Sequence, residues 1–70
     1  MDALFTRHKR VIGPHDQKLG YIGECRIDIH DGSVTHVVLR TPWQSIELSW
    51  DQLEFDEERD AFRLQPSRRR

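Results

Sequence analysis

Gly20-Tyr-Ile-Gly-Glu-Cys-Arg-Ile-Asp-Ile-His30, Asp31-Gly32 and Ser33-Val-Thr-His-Val-Val-Leu-Arg-Thr41 form the stretch whose reading decides the fold. Two β-rich runs joined by Asp-Gly predict a hairpin, because Asp and Gly accept the positive φ of a tight turn. In the first run Cys25, Ile27 and Ile29 share one face, while Glu24, Arg26, Asp28 and His30 share the other, the period of a half-buried strand. Ile22 is out of phase with that set and lies between Gly20 and Gly23, so a bulge there returns it to the core. A two-residue turn at Asp31-Gly32 sets Ile29 against Val34, Ile27 against His36 and Cys25 against Val38. A three-residue loop instead turns Thr35, Val37 and Leu39 inward. Both registers stay open at this level. Val37-Val38-Leu39 is apolar on both faces and calls for cover on both sides, from a curled sheet or from a second subunit.

Outward from the hairpin, the second half of residues 3–12 predicts a first strand at a sheet edge, where Lys9 and Arg10 discourage unwanted pairing. Gly13-Pro14-His15-Asp16-Gln17-Lys18 is turn chemistry. Pro42 interrupts the chain after Thr41. Ile46, Leu48 and Trp50 then alternate with Glu47 and Ser49 as a fourth strand, and a short 3₁₀ turn follows near Ser49–Leu53, capped by Ser49 or Asp51. Leu53 and Phe55 resume the alternation, Asp56–Asp60 is a polar loop, and Phe62 and Leu64 flank Arg63 in a last strand. The sum is an all-β chain, a small barrel of five to six strands or a two-sheet roll. Residues 1–66 read as a single domain and 67–70 as a basic tail.

At 70 residues a domain buries only about 60% of its unfolded surface, so self-association is expected to supplement the core. Eleven Lys and Arg against twelve Asp and Glu give a net charge of -1, without the field of a dedicated nucleic-acid binder. The lone Cys25 argues against a disulfide-stapled secreted scaffold, and no apolar run nears the roughly 18 residues of a membrane span. A cytoplasmic location is the expectation.

Gln17-Lys18-Leu19-Gly20, Ile27-Asp28, Gly32-Ser33-Val34 through Val37-Val38-Leu39, and Ile46-Glu47-Leu48-Ser49-Trp50-Asp51-Gln52-Leu53 followed by Asp56 resemble, in order and type, the pattern of the PRC-barrel domain. That family includes the barrel of the photosynthetic reaction-centre H subunit and of the ribosome maturation factor RimM. The resemblance runs from about Val11 to Leu64, with Ser49 where the family usually has Pro. It implies a non-catalytic docking and assembly module with a protein partner, and it carries over no catalytic or ligand residue. The alternative it suggests is a small barrel associated with RNA, the ribosome or a ribosomal protein.

The residues themselves offer little chemistry. His8, His15, His30 and His36 lack the paired spacing of a zinc site, and Cys25, in phase with Ile27, reads as a small core residue. The carboxylates Asp51, Glu54, Asp56, Glu57, Glu58 and Asp60 lack the spacing of a calcium loop. No catalytic, cofactor-binding or metal-ligating residue is assigned, no cofactor is expected, and the chain is not read as an enzyme. Two surface assignments remain. Trp43, Val37 and Leu39 form a candidate interface of a homo-oligomer, dimer or larger. Arg7, Lys9, Arg10, Arg68, Arg69 and Arg70 form a candidate basic patch opposed to the acidic stretch Glu47–Asp60, able to meet RNA through salt-sensitive contacts.

Overall fold

A computed structural model describes residues 6–65. The chain runs β1 (Arg10–Ile12), β2 (Lys18–Ile27), β3 (Val34–Arg40), β4 (Ser45–Ser49), the 3₁₀ turn η1 (Trp50–Gln52), β5 (Leu53–Asp56) and β6 (Ala61–Leu64). All six strands belong to one sheet in the order β4-β3-β2-β1-β6-β5. Its ladders are antiparallel except the parallel pair of β1 and β6.

The connectivity forces that sheet to curl. β4 and β5 are its opposite edges, yet only η1 lies between them in the chain. Six strands laid flat would set the edges about 24 Å apart, whereas the backbone from Ser49 to Leu53 reaches at most about 14 Å even when extended. The result is a half-barrel. Its concave face holds Val11, Ile22, Val34, Val37, Leu39 and Phe62, with Leu19, Cys25, Leu48, Trp50, Leu53 and Phe55 packed around them. Phe62 is the hub: its ring lies 5.4 Å from Trp50 and 5.0 Å from Phe55, both tilted, an arrangement aromatic quadrupoles favour.

The bulge anticipated beside Ile22 is present. The β2–β3 register slips between Ile22 and Glu24, so Gly23 is the extra residue and Ile22 is fully buried. At Gly20 a Cβ would meet the Arg40 carbonyl oxygen at 2.0 Å, so a side chain there cannot coexist with this strand approach.

The β2–β3 pairing takes the one-residue shift that turns Val37 and Leu39 inward, but the turn is wider than either loop drawn from the sequence. β2 ends at Ile27 and β3 begins at Val34, leaving Asp28–Ser33 as a loop. Gly32 alone in it takes a positive φ, of 74°. Asp28 accepts from the His30 amide through Oδ1 and from the Gly32 amide through its carbonyl, and Asp31 Oδ1 accepts from the Ser33 amide. These bonds, two from backbone to side chain and one within the backbone, hold a wider loop than Asp-Gly needs. Cys25 therefore opposes Val37 and Arg26 opposes His36. Val37 and Leu39 do point inward, but Ile29 is 92% exposed in the loop and His36 lies on the surface.

Two placements are corrected. β1 is an interior strand, because β6 returns alongside it and gives it a neighbour on each side. Val37 and Leu39, read as interface residues, are 0% and 3% exposed, since the curl of the sheet covers them without a second subunit. On the convex face Val38 is also buried; its register neighbours are Glu24 and Glu47, whose ion pairs with Arg40 and Arg26 put long side-chain stems around it.

Candidate interaction surface

The β3–β4 connection, Thr41–Gln44, ends the hairpin with the exposed pair Pro42-Trp43 at its tip. The Thr41 amide donates to the Gln44 carbonyl at 2.9 Å. The Thr41 hydroxyl accepts from the Trp43 and Gln44 amides at 3.2 and 3.0 Å and lies 3.0 Å from the Gln44 carbonyl, to which it donates. One threonine thus ties down the turn, and Pro42 restricts the backbone between its anchors. The indole it carries is 88% exposed. A large rigid aromatic held in water by an ordered turn is the residue type that anchors protein interfaces.

Next to the tip, β4 forms the free edge of the sheet. Ile46, the apolar residue nearest the tip on its concave side, keeps 36% of its surface exposed. On its convex side Glu47 is paired with the Arg26 guanidinium, and Arg40 donates to the Ser45 hydroxyl. At the far end of the strand, Gln52 Oε1 accepts from the Ser49 amide and the Ser49 hydroxyl donates to Asp51, which anchors η1.

The other edge is built differently. Around β5, Glu54, Phe55, Asp56, Glu57, Glu58 and Arg63 line a shallow groove of about 610 Å³. Behind it Arg63 gathers the two neighbouring turns. One Nη reaches Asp16 at 2.6 Å and the Gly13 carbonyl at 3.1 Å, and the other reaches Asp56 at 2.6 Å. Arg59 adds pairs to Asp16 and Asp56 at 3.2 and 3.3 Å. The guanidinium fork matches two carboxylates at once. Its hydrogen bonds hold the Asp16 and Asp56 carboxyls below the ordinary carboxylate value and raise the Arg63 pKa.

Of the candidate basic patch, Arg7, Lys9 and Arg10 fall within the described residues. Because β1 pairs with β6, Lys9 and Arg10 stand beside the 57–60 turn: Lys9 bonds Asp60 at 2.7 Å and lies over the Phe55 ring, and Arg10 donates to the Arg59 carbonyl. Arg7 is exposed, and Arg68, Arg69 and Arg70 lie outside the described residues. Cys25 is half-buried against the core, where burial pushes its thiol pKa up. The four histidines are exposed, and among the described residues no three His, Cys, Asp or Glu side chains form a metal-binding group. Nor is any described helix long and apolar enough to cross a membrane.

Sequence reasoning missed Ile46 as a surface residue, because its phase with Leu48 and Trp50 reads as core; edge position, which no periodicity reports, leaves it half covered. Compared with the models of known protein families and with characterised proteins, the chain matches none.

Proposed function

We propose that this chain is a non-catalytic protein-interaction module, a cytoplasmic half-barrel of the PRC-barrel type that docks and self-associates within a larger assembly. The observation that carries the reading is Trp43, an exposed indole fixed on a hydrogen-bonded turn beside the edge strand β4. Holding the turn in one conformation lowers the ordering cost of binding, so one aromatic anchor contributes more than its area suggests. The engagement of Lys9 and Arg10 with the 57–60 turn takes from the RNA-associated alternative much of its described basic surface.

The test is affinity capture from native lysate with the wild-type chain and with Trp43→Ala, at low and high salt, identifying both protein and RNA. A protein captured at high salt by the wild type and lost with Trp43→Ala supports the docking reading. Capture of RNA alone, released as salt rises, overturns it in favour of a salt-dependent nucleic-acid contact.

A further inference from the structure

The β4 edge has a sequence suited to its own copy. Ser45-Ile46-Glu47-Leu48-Ser49 is chemically palindromic about Glu47: hydroxyl, aliphatic, carboxylate, aliphatic, hydroxyl. A strand added antiparallel across a two-fold axis at Glu47 sets Ser45 against Ser49 of the second copy, and Ile46 against its Leu48.

The hydrogen-bonding phase agrees. The Thr41 amide bonds the Gln44 carbonyl, and β4 pairs with β3 in continuous register from Arg40–Ser45 to His36–Ser49. Alternation in an antiparallel ladder therefore turns the amides and carbonyls of Ser45, Glu47 and Ser49 toward the unpaired edge. The Ser49 amide is already taken by Gln52 Oε1, while the amide and carbonyl of Glu47 are positioned for exchange with a second Glu47. Ile46 and Leu48 of opposite copies then occupy the closer, non-hydrogen-bonded positions, where side chains meet best, covering the half-exposed Ile46.

The charges also agree. Two carboxylates meeting on an axis repel, but each Glu47 is already paired with the Arg26 guanidinium, so the axis carries two arginines with its two glutamates. At the β5 edge the arginines are taken up by Asp56, while Glu54 on the strand itself is met by the Gln65 amide and not by a guanidinium. The same two-fold brings Trp43 level with Asp51 of the second copy, at its η1 turn, which gives the exposed indole a surface to pack on.

We infer that the chain forms a two-fold symmetric dimer by pairing β4 with β4 of a second copy about Glu47, closed at each end by Trp43 on the opposite η1 turn. This deepens the reading of the chain as an assembly module and rests on it.

The test is sedimentation equilibrium on the purified full chain, with circular dichroism to confirm folding. The wild type is expected to be dimeric. Glu47→Pro, which removes only an outward amide from an edge strand, is expected to stay folded and to weaken the dimer roughly tenfold or more. Trp43→Ala, outside the sheet, weakens it without touching the fold. In a Cys25→Ala background, Glu47→Cys is expected to form a disulfide-linked dimer on mild oxidation, since a pair on such an axis has Cα atoms about 5.5 Å apart; Glu54→Cys is not. A monomeric wild type, or a dimer in which Glu47→Cys fails to cross-link, overturns the inference. If Trp43-dependent capture of another protein persists in that case, the docking reading stands without this dimer; if capture is lost too, both fall.

Discussion

The 57–60 turn and the 41–44 turn close neighbouring strands of one sheet by opposite means. Around the first, charged groups face inward to one another: Arg63 and Arg59 hold Asp16 and Asp56, and Lys9 holds Asp60. The second is held by the amide and hydroxyl of Thr41 and turns an apolar ring into water. A turn that satisfies its own side chains serves the fold; one that satisfies only its backbone leaves a side chain available to something else. The difference also orders what substitutions do.

The widest separation is expected between two aromatic residues. Phe62→Ala removes the hub ring on β6 and lowers stability by about 3–5 kcal/mol in urea titration, whereas Trp43→Ala changes it by no more than about 0.5 kcal/mol. Equal losses would mean that the tip belongs to the core and would break the contrast. Gly20→Ala comes next, at about 1–3 kcal/mol, because the added Cβ meets the Arg40 carbonyl just below the Trp43 turn and the strands must part. A neutral result there would show that the strands beneath the tip are loosely held.

Acid then separates the two turns. The Asp16 and Asp56 carboxyls are lowered in the folded state, so their contribution is present above the unfolded value of about 3.9 and is lost as pH falls through the lowered folded values. Thermal midpoints of the wild type are expected to fall more steeply below about pH 4 than those of Asp16→Asn/Asp56→Asn, which starts lower at neutral pH. Parallel curves would show that Arg63 holds these carboxylates no better than water does. The smallest effect belongs to Thr41→Val, about 0.5 kcal/mol in stability for an exposed hydrogen-bonding group. Its readout is local: faster depolarisation of Trp43 fluorescence in a Trp50→Phe background.

Much of the frame was legible in the residues themselves. Alternation located β2, β4, β5 and β6, apolar runs located β1 and β3, Gly23 beside the out-of-phase Ile22 located the bulge, and Ser49 marked the start of η1, because each depends on neighbours a few positions away. Pro42-Trp43 also announced an aromatic in a turn, although not which way it points. Tertiary structure decided the rest. The wider Asp28–Ser33 loop is held by two side-chain bonds to backbone, from the His30 amide to Asp28 and from the Ser33 amide to Asp31, together with backbone bonds from Asp28 to Ser33 and from Gly32 to Asp28, which the Asp-Gly pair alone does not announce. The pairing of β1 with β6 joins residues about fifty positions apart; it made β1 interior, set Lys9 against Asp60, and left β4 and β5 as edges. Whether Val37 and Leu39 are core and Ile46 is surface follows from that strand order, since periodicity tells which face a side chain takes and only the order of strands tells what lies over it.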